Sequence, residues 1–301
     1  MNFIESENQI ASLFYVGSQF YHEGTQYVTL NTGKPKVSQG ETKSDIYVLA
    51  NVVNASITKE FKISYKKLNA DFLENKMSFT RAEEIFGVHW KSRIQQFTTS
   101  IQYEFEQRNL LHYSDSKLRG RTKEGSITLG WKFEIVNKHN GRLSSEIFLT
   151  PDETLEIYAG HRLRDSKRHA RVNGVMIPNS GIAEYILVGD CETYNTAQDV
   201  INDIRPIHIY AHQNPSLFFA CKAHNYNTLR DKMDGNRYLS VYVDWNIVNM
   251  MLTPTLVFNA PLVTRANPVK DKLLSSLAQI NVKDITELNK HNLSRGKYIQ
   301  V

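Results

Sequence analysis

The sequence predicts an α/β (α+β) fold: a mixed central sheet flanked by helices, followed by a β-rich part. Two observations predict it. Apolar residues recur at helical spacing near the N-terminus and then switch to strict alternation. Beyond about Leu111, short apolar runs bounded by turn residues follow one another, with few helical stretches between them.

The elements follow in order. Phe3, Ile4, Ile10, Leu13 and Phe14 give residues 3–16 a helical stripe. TQYVTLNTG reads as a strand that ends in a Gly-Lys-Pro turn, SDIYVLANVV as the next strand, and NAS as a turn. TKEFKISYK alternates: Lys59, Phe61, Ile63 and Tyr65 share one face, and Glu60, Lys62, Ser64 and Lys66 the other. From Asn69 the period becomes helical. NADFLENKMSFTRAEEIFG is expected to stop at Gly87, and HWKSRIQQFTTSIQYEFEQRNLL carries Trp90, Ile94, Phe97, Ile101 and Phe105 on one stripe.

After Leu111 nine segments read as strands: GSITLGWKFEIVN, SSEIFLT, ETLEIYAG, RVNGVMIP, AEYILVG, RPIHIYAH, PSLFFACKA, RYLSVYVDW and TPTLVFN. TAQDVINDI and the C-terminal VKDKLLSSLAQINVKDITELNKHNL read as helices. Two parts are therefore expected: an α-β-β-β-α-α part over 1–112, and a β-rich region over 113–301 that can return strands to the first sheet.

The chain has 301 residues, of which 41% are hydrophobic and 22% charged, enough to bury a sizeable core. No apolar run approaches the roughly 18 residues of a membrane span. The start, MNFIESENQIASLF, lacks the basic opening and apolar core of a signal peptide. Cys191 and Cys221 make no disulfide framework, so a cytoplasmic protein with no membrane partner is expected. There is no Gly-x4-Gly-Lys-Ser/Thr, no Gly-x-Gly-x-x-Gly after a strand and no Gly-x-Ser-x-Gly, so no nucleotide cofactor is expected. His208, His212, Cys221 and His224 lack the paired spacing of a structural zinc site and read as ordinary buried or surface side chains.

The net charge is +5, and its distribution matters more than its size. Lys34, Lys36, Lys43, Lys59, Lys62, Lys66 and Lys67 crowd one region, KLRGRTK a second, and HRLRDSKRHAR a third. Three such runs favour phosphate contact. The candidates for nucleic-acid contact are Lys43, Ser64, Lys66, Arg119, Arg121, Arg162, Arg164, Lys167, Arg168 and Arg171.

The chemistry rests on Asp45, Glu60 and Lys62. Glu60 and Lys62 leave the same strand face about 6.6 Å apart. Asp45 opens the preceding strand, and a bent antiparallel pair would bring it to them. Converging carboxylates are hard oxygen ligands that suit Mg²⁺ or Mn²⁺. A neighbouring lysine can orient or help deprotonate a metal-bound water, a set suited to phosphodiester hydrolysis.

Asp45 followed by Glu60-Phe61-Lys62 resembles the PD-(D/E)xK motif of restriction-endonuclease-like nucleases, with Ser44 in the place of the loosely held proline. GETKSDI is similar to the Gly-x-x-Lys-Ser/Thr-Asp-Ile/Val variant of that motif. The resemblance covers roughly residues 3–110, where helix, three strands and helix match the order of the family core. It implies that 1–112 is a catalytic core and that 113–301 serves DNA recognition and dimer contacts. Asp45 and Glu60 would bind Mg²⁺ (or Mn²⁺) and Lys62 would handle the water. An acid on the first helix, Glu7 or Glu5, would assist the metal. The implied activity is Mg²⁺-dependent, sequence-specific cleavage of double-stranded DNA, as in type II restriction enzymes, by a homodimer with one site per strand. Two alternatives stay open: a non-catalytic DNA-binding protein on a degenerate nuclease fold, and a nuclease acting on RNA or on branched or damaged DNA.

Overall fold

A computed structural model describes residues 3–115, 122–288 and 291–294. In chain order the elements are α1 (Phe3–Leu13), β1 (Gln19–His22), β2 (Thr25–Gly33), β3 (Ile46–Val52), β4 (Thr58–Lys66), β5 (Phe72–Glu74), α2 (Phe79–Phe86), α3 (Trp90–Ser100), α4 (Gln102–Glu106), β6 (Leu111–His112), β7 (Ser126–Val136) and β8 (Ser144–Ile147). They continue with α5 (Pro151–Ala159), α6 (Asp165–Arg168), β9 (Ala170–Val172), β10 (Val175–Ile177), β11 (Tyr185–Val188), α7 (Ala197–Asp203), β12 (Arg205–Pro206), α8 (Ile207–Gln213), β13 (Leu217–Asn227), β14 (Lys232–Met233), β15 (Val241–Val248), β16 (Met251–Val257) and α9 (Ala266–Gln279). The fold is mixed α+β, as the change of period predicts. Among the described residues no helix is long and apolar enough to cross a membrane.

The chain divides into two compact units, one within Met1–Asp71 and Leu149–Pro215, the other within Phe72–Phe148 and Ser216–Val301. The second unit thus interrupts the first, and the expected boundary at 112/113 is not the one observed. The reason is pairing. β5 and β7 hydrogen-bond each other, which takes the residues after Asp71 into the second unit.

The first unit holds a six-stranded sheet in the order β1-β2-β3-β4-β11-β12. β2, β3 and β4 form an antiparallel meander, and β11 joins β4 in parallel. A parallel neighbour needs a crossover connection, and α5 lies on it. α1 packs on one face through Ile10, with Phe14 just beyond its end, against Phe20, Phe61, Ile63 and Tyr65. The second unit is built on a separate sheet that follows the path β14-β13-β7-β15-β16, with β5 and β6 also on β7 and β8 on β13.

Four segments differ from expectation. ETLEIYAG, expected as a strand, is helix α5. Thr150 and Glu153 form a reciprocal capping box, Pro151 stands at the first turn, and Gly160 closes the helix at φ 77°. RPIHIYAH, also expected as a strand, becomes helix α8 after Pro206, so His208 and His212 lie one helical turn apart. In NADFLENKMSFTRAEEIFG only Phe79–Phe86 is helical. Ser78 accepts the Arg81 amide and starts it there, while Phe72–Glu74 is a strand. RVNGVMIP folds as the hairpin β9–β10, whose turn residues Asn173 and Gly174 both take positive φ, 51° and 85°.

Candidate active site

Alternation along β4 works as the sequence predicts. Phe61 and Ile63 are fully buried in the core under α1, which turns Glu60, Lys62 and Ser64 to the opposite face. The register, however, separates the expected trio. Ile46 pairs with Ile63, Tyr47 with Lys62 and Leu49 with Glu60. Asp45 therefore stands beside Ser64, and Glu60 lies four residues further along β4. At about 3.3 Å per residue that is about 13 Å. The convergence of Asp45 with Glu60 expected from the sequence does not occur.

Two separate clusters replace the trio. In the first, Lys62 is buried and its Nζ lies 2.7 Å from Glu184 Oε1 and 3.7 Å from Glu60 Oε2. The Tyr47 hydroxyl donates to Glu60 Oε1 at 2.7 Å. Burial, reinforced by that carboxylate, keeps the Tyr47 hydroxyl protonated well above its ordinary range. Every polar group here already has a partner, so the arrangement reads as a closed ion-pair knot.

In the second cluster, Asp45 Oδ2 accepts the Tyr65 amide at 2.8 Å and the Ser64 hydroxyl at 3.3 Å. Lys66 Nζ lies 3.9 Å from the same oxygen. Ser64, expected to touch a DNA backbone, is only 2% exposed and spends its hydroxyl on Asp45. Glu7 reaches this region from α1 and accepts a hydrogen bond from Lys34, which follows directly on β2. Burial pushes the Glu7 carboxyl above its ordinary value and the charge of Asp45 pushes it further, while Lys34 and then Lys66 pull it back. Two carboxylates and two ammonium groups thus sense one another. Glu5, the alternative on α1, is exposed.

Among the described residues no group of three His, Cys, Asp or Glu side chains could hold a metal ion. Mg²⁺ asks for less, because it commonly keeps several waters and takes one or two carboxylates plus substrate phosphate. The charge of Asp45 raises the Glu7 carboxyl, so the two carboxylates lie in one neighbourhood, each with a lysine beside it. Glu60, pinned by Tyr47 and Lys62, does not belong to that donor set.

A cleft of about 1480 Å³ opens beside α1, lined by Lys34, Lys36, His169, Arg171, Asn8 and Met176 among others. Its far wall is the β9–β10 hairpin. That hairpin is tied to the strand edge by Asn173, which donates to Asn31 Oδ1 at 3.0 Å and to the Thr32 carbonyl at 2.8 Å. Lys34 belongs both to the cleft and to the Glu7 pair, so the basic wall runs to the Glu7 carboxylate.

The other expected contact residues are dispersed. Arg171 lines the cleft and donates to the Gly174 carbonyl at 2.8 Å. Arg162 is exposed, 3.9 Å from Asp152, and Arg164 is exposed at the start of α6. Lys167 is half-buried against Gly40, Lys43 is half-buried against Gly160, and Arg168 is half-buried. Arg119 and Arg121 lie outside the described residues. Glu184 and Tyr47 are missing from the sequence reading, and Lys34 is in it only as one of the clustered lysines. Glu184 arrives through the parallel β4–β11 pairing, which leaves no local signal. Lys34 could have been suspected from its place in the Gly-Lys-Pro turn.

Comparison of the chain with protein-family models, with curated proteins and with solved structures returned no match.

Proposed function

We propose that this chain is a Mg²⁺-dependent endonuclease of the restriction-endonuclease-like class acting on double-stranded DNA, with its site at Glu7, Asp45, Lys66 and Lys34. The observation that carries the reading is geometric: Glu7 pairs with Lys34 and Asp45 with Lys66, and Lys34 also lines a basic cleft. The order of elements supports it as well: helix α1, the antiparallel strands β2, β3 and β4, helix α5, and the returning parallel strand β11. The motif is read with a shift. Ser64-Tyr65-Lys66 occupies the place opposite Asp45 that the sequence reading gave to Glu60-Phe61-Lys62, and the second carboxylate comes from α1 instead of β4.

Within this reading each residue has a task. Asp45 and Glu7 would hold the metal, which when bound supplies a Lewis acid for the phosphoryl oxygen and acidifies water. The Tyr65 amide fixes the Asp45 carboxylate and leaves its remaining lone pairs available. Lys66 stands where it can orient a water or steady phosphate charge. Lys34, Lys36 and Arg171 would hold the backbone phosphates along the cleft. Cutting both strands would take two copies of the chain.

The test is incubation of the chain with a long DNA duplex in Mg²⁺ and in EDTA. Discrete fragments in Mg²⁺ alone, lost in Asp45→Ala, support the reading; intact DNA in both sinks it. A second reading, a DNA-binding protein without catalysis, is favoured by Ser64 standing where an acid is expected and by the lysines already paired with both carboxylates. It predicts equal retardation of DNA in a gel with Mg²⁺ and with EDTA.

A further inference from the structure

The second unit carries a pocket of about 640 Å³. That volume lies within the range of about 300–1,000 Å³ typical of small-molecule sites. Three aromatic rings wall it. Phe79 meets Tyr238 edge to face at 5.6 Å, and Trp90 lies 6.3 Å from Phe79 at an interplanar angle of 40°. Phe79 remains 38% exposed, so its ring has not been taken into the core. At the rim the Arg265 guanidinium lies 4.3 Å over the Tyr238 ring and also donates to the Tyr238 hydroxyl. The backbones of these two residues bridge each other, which fixes ring and cation together.

The floor is rigid. Leu262 is fully buried and held at φ 55°, a left-handed conformation that a non-glycine residue keeps only where its surroundings enforce it. Its amide reaches the Leu239 carbonyl at 2.7 Å, and the Asn267 amide reaches Asn236 Oδ1 at 2.9 Å. The Ala266 amide is likewise bonded, to the Arg237 carbonyl at 2.9 Å, so the first two amides of α9 are taken and Arg265 is the charged side chain of the lining that can meet an anion.

The lining selects a ligand class. Aromatic faces accept flat rings, and among the described residues that line the pocket there is no Asp or Glu. A quaternary ammonium ligand would find rings to sit against but would face Arg265 with no acid to offset it. A flat ring carrying a negative group satisfies both features. We propose that this pocket binds a nucleotide, with its base among Phe79, Trp90 and Tyr238 and its phosphate at Arg265. The source is either a free nucleotide or an unpaired base within a nucleic-acid strand. Base–aromatic stacking tolerates any of the bases, so no single base is expected to dominate. The proposal does not depend on the nuclease reading.

The experiment titrates deoxynucleoside 5′-monophosphates into the full chain in EDTA, where cleavage cannot interfere, and follows tryptophan fluorescence. Trp131 and Trp245 are buried, so a ligand-dependent quench reports on Trp90. Saturable quenching at millimolar nucleotide is expected. Tyr238→Ala should weaken it about tenfold or more. Arg265→Gln should weaken the monophosphate about tenfold and leave the parent nucleoside unchanged, because only the former offers a charged oxygen. A single-stranded oligonucleotide binding at least tenfold more tightly than the monophosphate assigns the pocket to a base within a strand; equal affinity assigns it to free nucleotide. The wild-type chain failing to quench, or binding tetramethylammonium more tightly than any monophosphate, overturns the proposal.

Discussion

The Asp45 carboxylate takes the backbone amide of Tyr65 at 2.8 Å, which anchors it at the Lys66 end of β4. Everything proposed about catalysis turns on that anchorage. It makes Lys66, not Lys62, the lysine beside Asp45.

Cleavage assays on single variants should separate the two ends of β4. Asp45→Asn keeps an acceptor for the Tyr65 amide, so it should fold, yet its Mg²⁺-dependent cleavage should fall by at least about 100-fold, as should that of Lys66→Ala. Glu60→Gln should retain activity to within about threefold. Activity that survives Asp45→Asn and dies with Glu60→Gln would return the site to the Lys62 end.

Lys62 should matter for stability. Its ammonium is buried and faces two carboxylates, while Glu184 is 45% exposed and can rehydrate. Lys62→Met should cost about 1–3 kcal/mol in urea unfolding, chiefly from leaving Glu60 less well compensated. Glu184→Gln should cost less than about 1 kcal/mol, because water screens the exposed partner. Equal costs for the two variants would contradict this account.

Glu7 should impose a pH dependence of known sign. Its carboxyl is raised above the ordinary 4.5, so over the window above that value the folded state holds more protons than the unfolded one. The stability it contributes is complete below 4.5 and is lost as pH rises through the folded-state value. Glu7→Gln should remove this slope and leave the chain more stable than wild type at neutral pH. The two should converge near pH 4 in denaturation midpoints measured across the range.

His224 should act in the opposite sense. Its ring is 1% exposed, with Nε2 3.0 Å from the Gly235 carbonyl. A carbonyl only accepts, so Nε2 carries the proton of a neutral imidazole. Burial, helped by Lys132, pushes the imidazolium pKa down to about 4. The unfolded chain binds this proton first, so stability is full above about 6.5 and is lost as pH falls toward 4, by about 2–3 kcal/mol. His224→Gln should flatten that limb of the pH–stability curve, and an unchanged limb would count against it.

What the sequence disclosed follows from the range of each signal. The alternation in TKEFKISYK is local, and it correctly sent Phe61 and Ile63 into the core and Glu60 and Lys62 away from it. The register against β3 is not local: nothing within either strand says that Ile46 pairs with Ile63, and a four-residue difference in pairing moved Asp45 from Glu60 to Ser64. The helix α5 was legible in Thr150, Pro151 and Glu153, but the apolar spacing of ETLEIY obscured it. Glu184 reaches Lys62 through a parallel pairing, and Tyr238 reaches Phe79 through loop packing, neither of which leaves a periodic trace. Glu5 and Glu7 are both legible as acids on α1; Glu7 is the one that pairs with Lys34, while Glu5 is exposed, a difference set by tertiary packing that the sequence does not carry.

The interruption of the first unit by the second also orders events in time. During synthesis β3 and β4 leave the ribosome early, but the strand that pairs with β4 in parallel begins only at Tyr185. Until then the Lys62 side of β4 has no β11 beside it, and Lys62 has no Glu184. The nascent first unit must wait, half-assembled, while Phe72–Phe148 emerges in between. Closing so long a connection is entropically unfavourable, though the penalty grows only slowly with length. A chain halted before Tyr185 would present an unpaired edge strand, the form of a folding intermediate most exposed to mispairing with a neighbour.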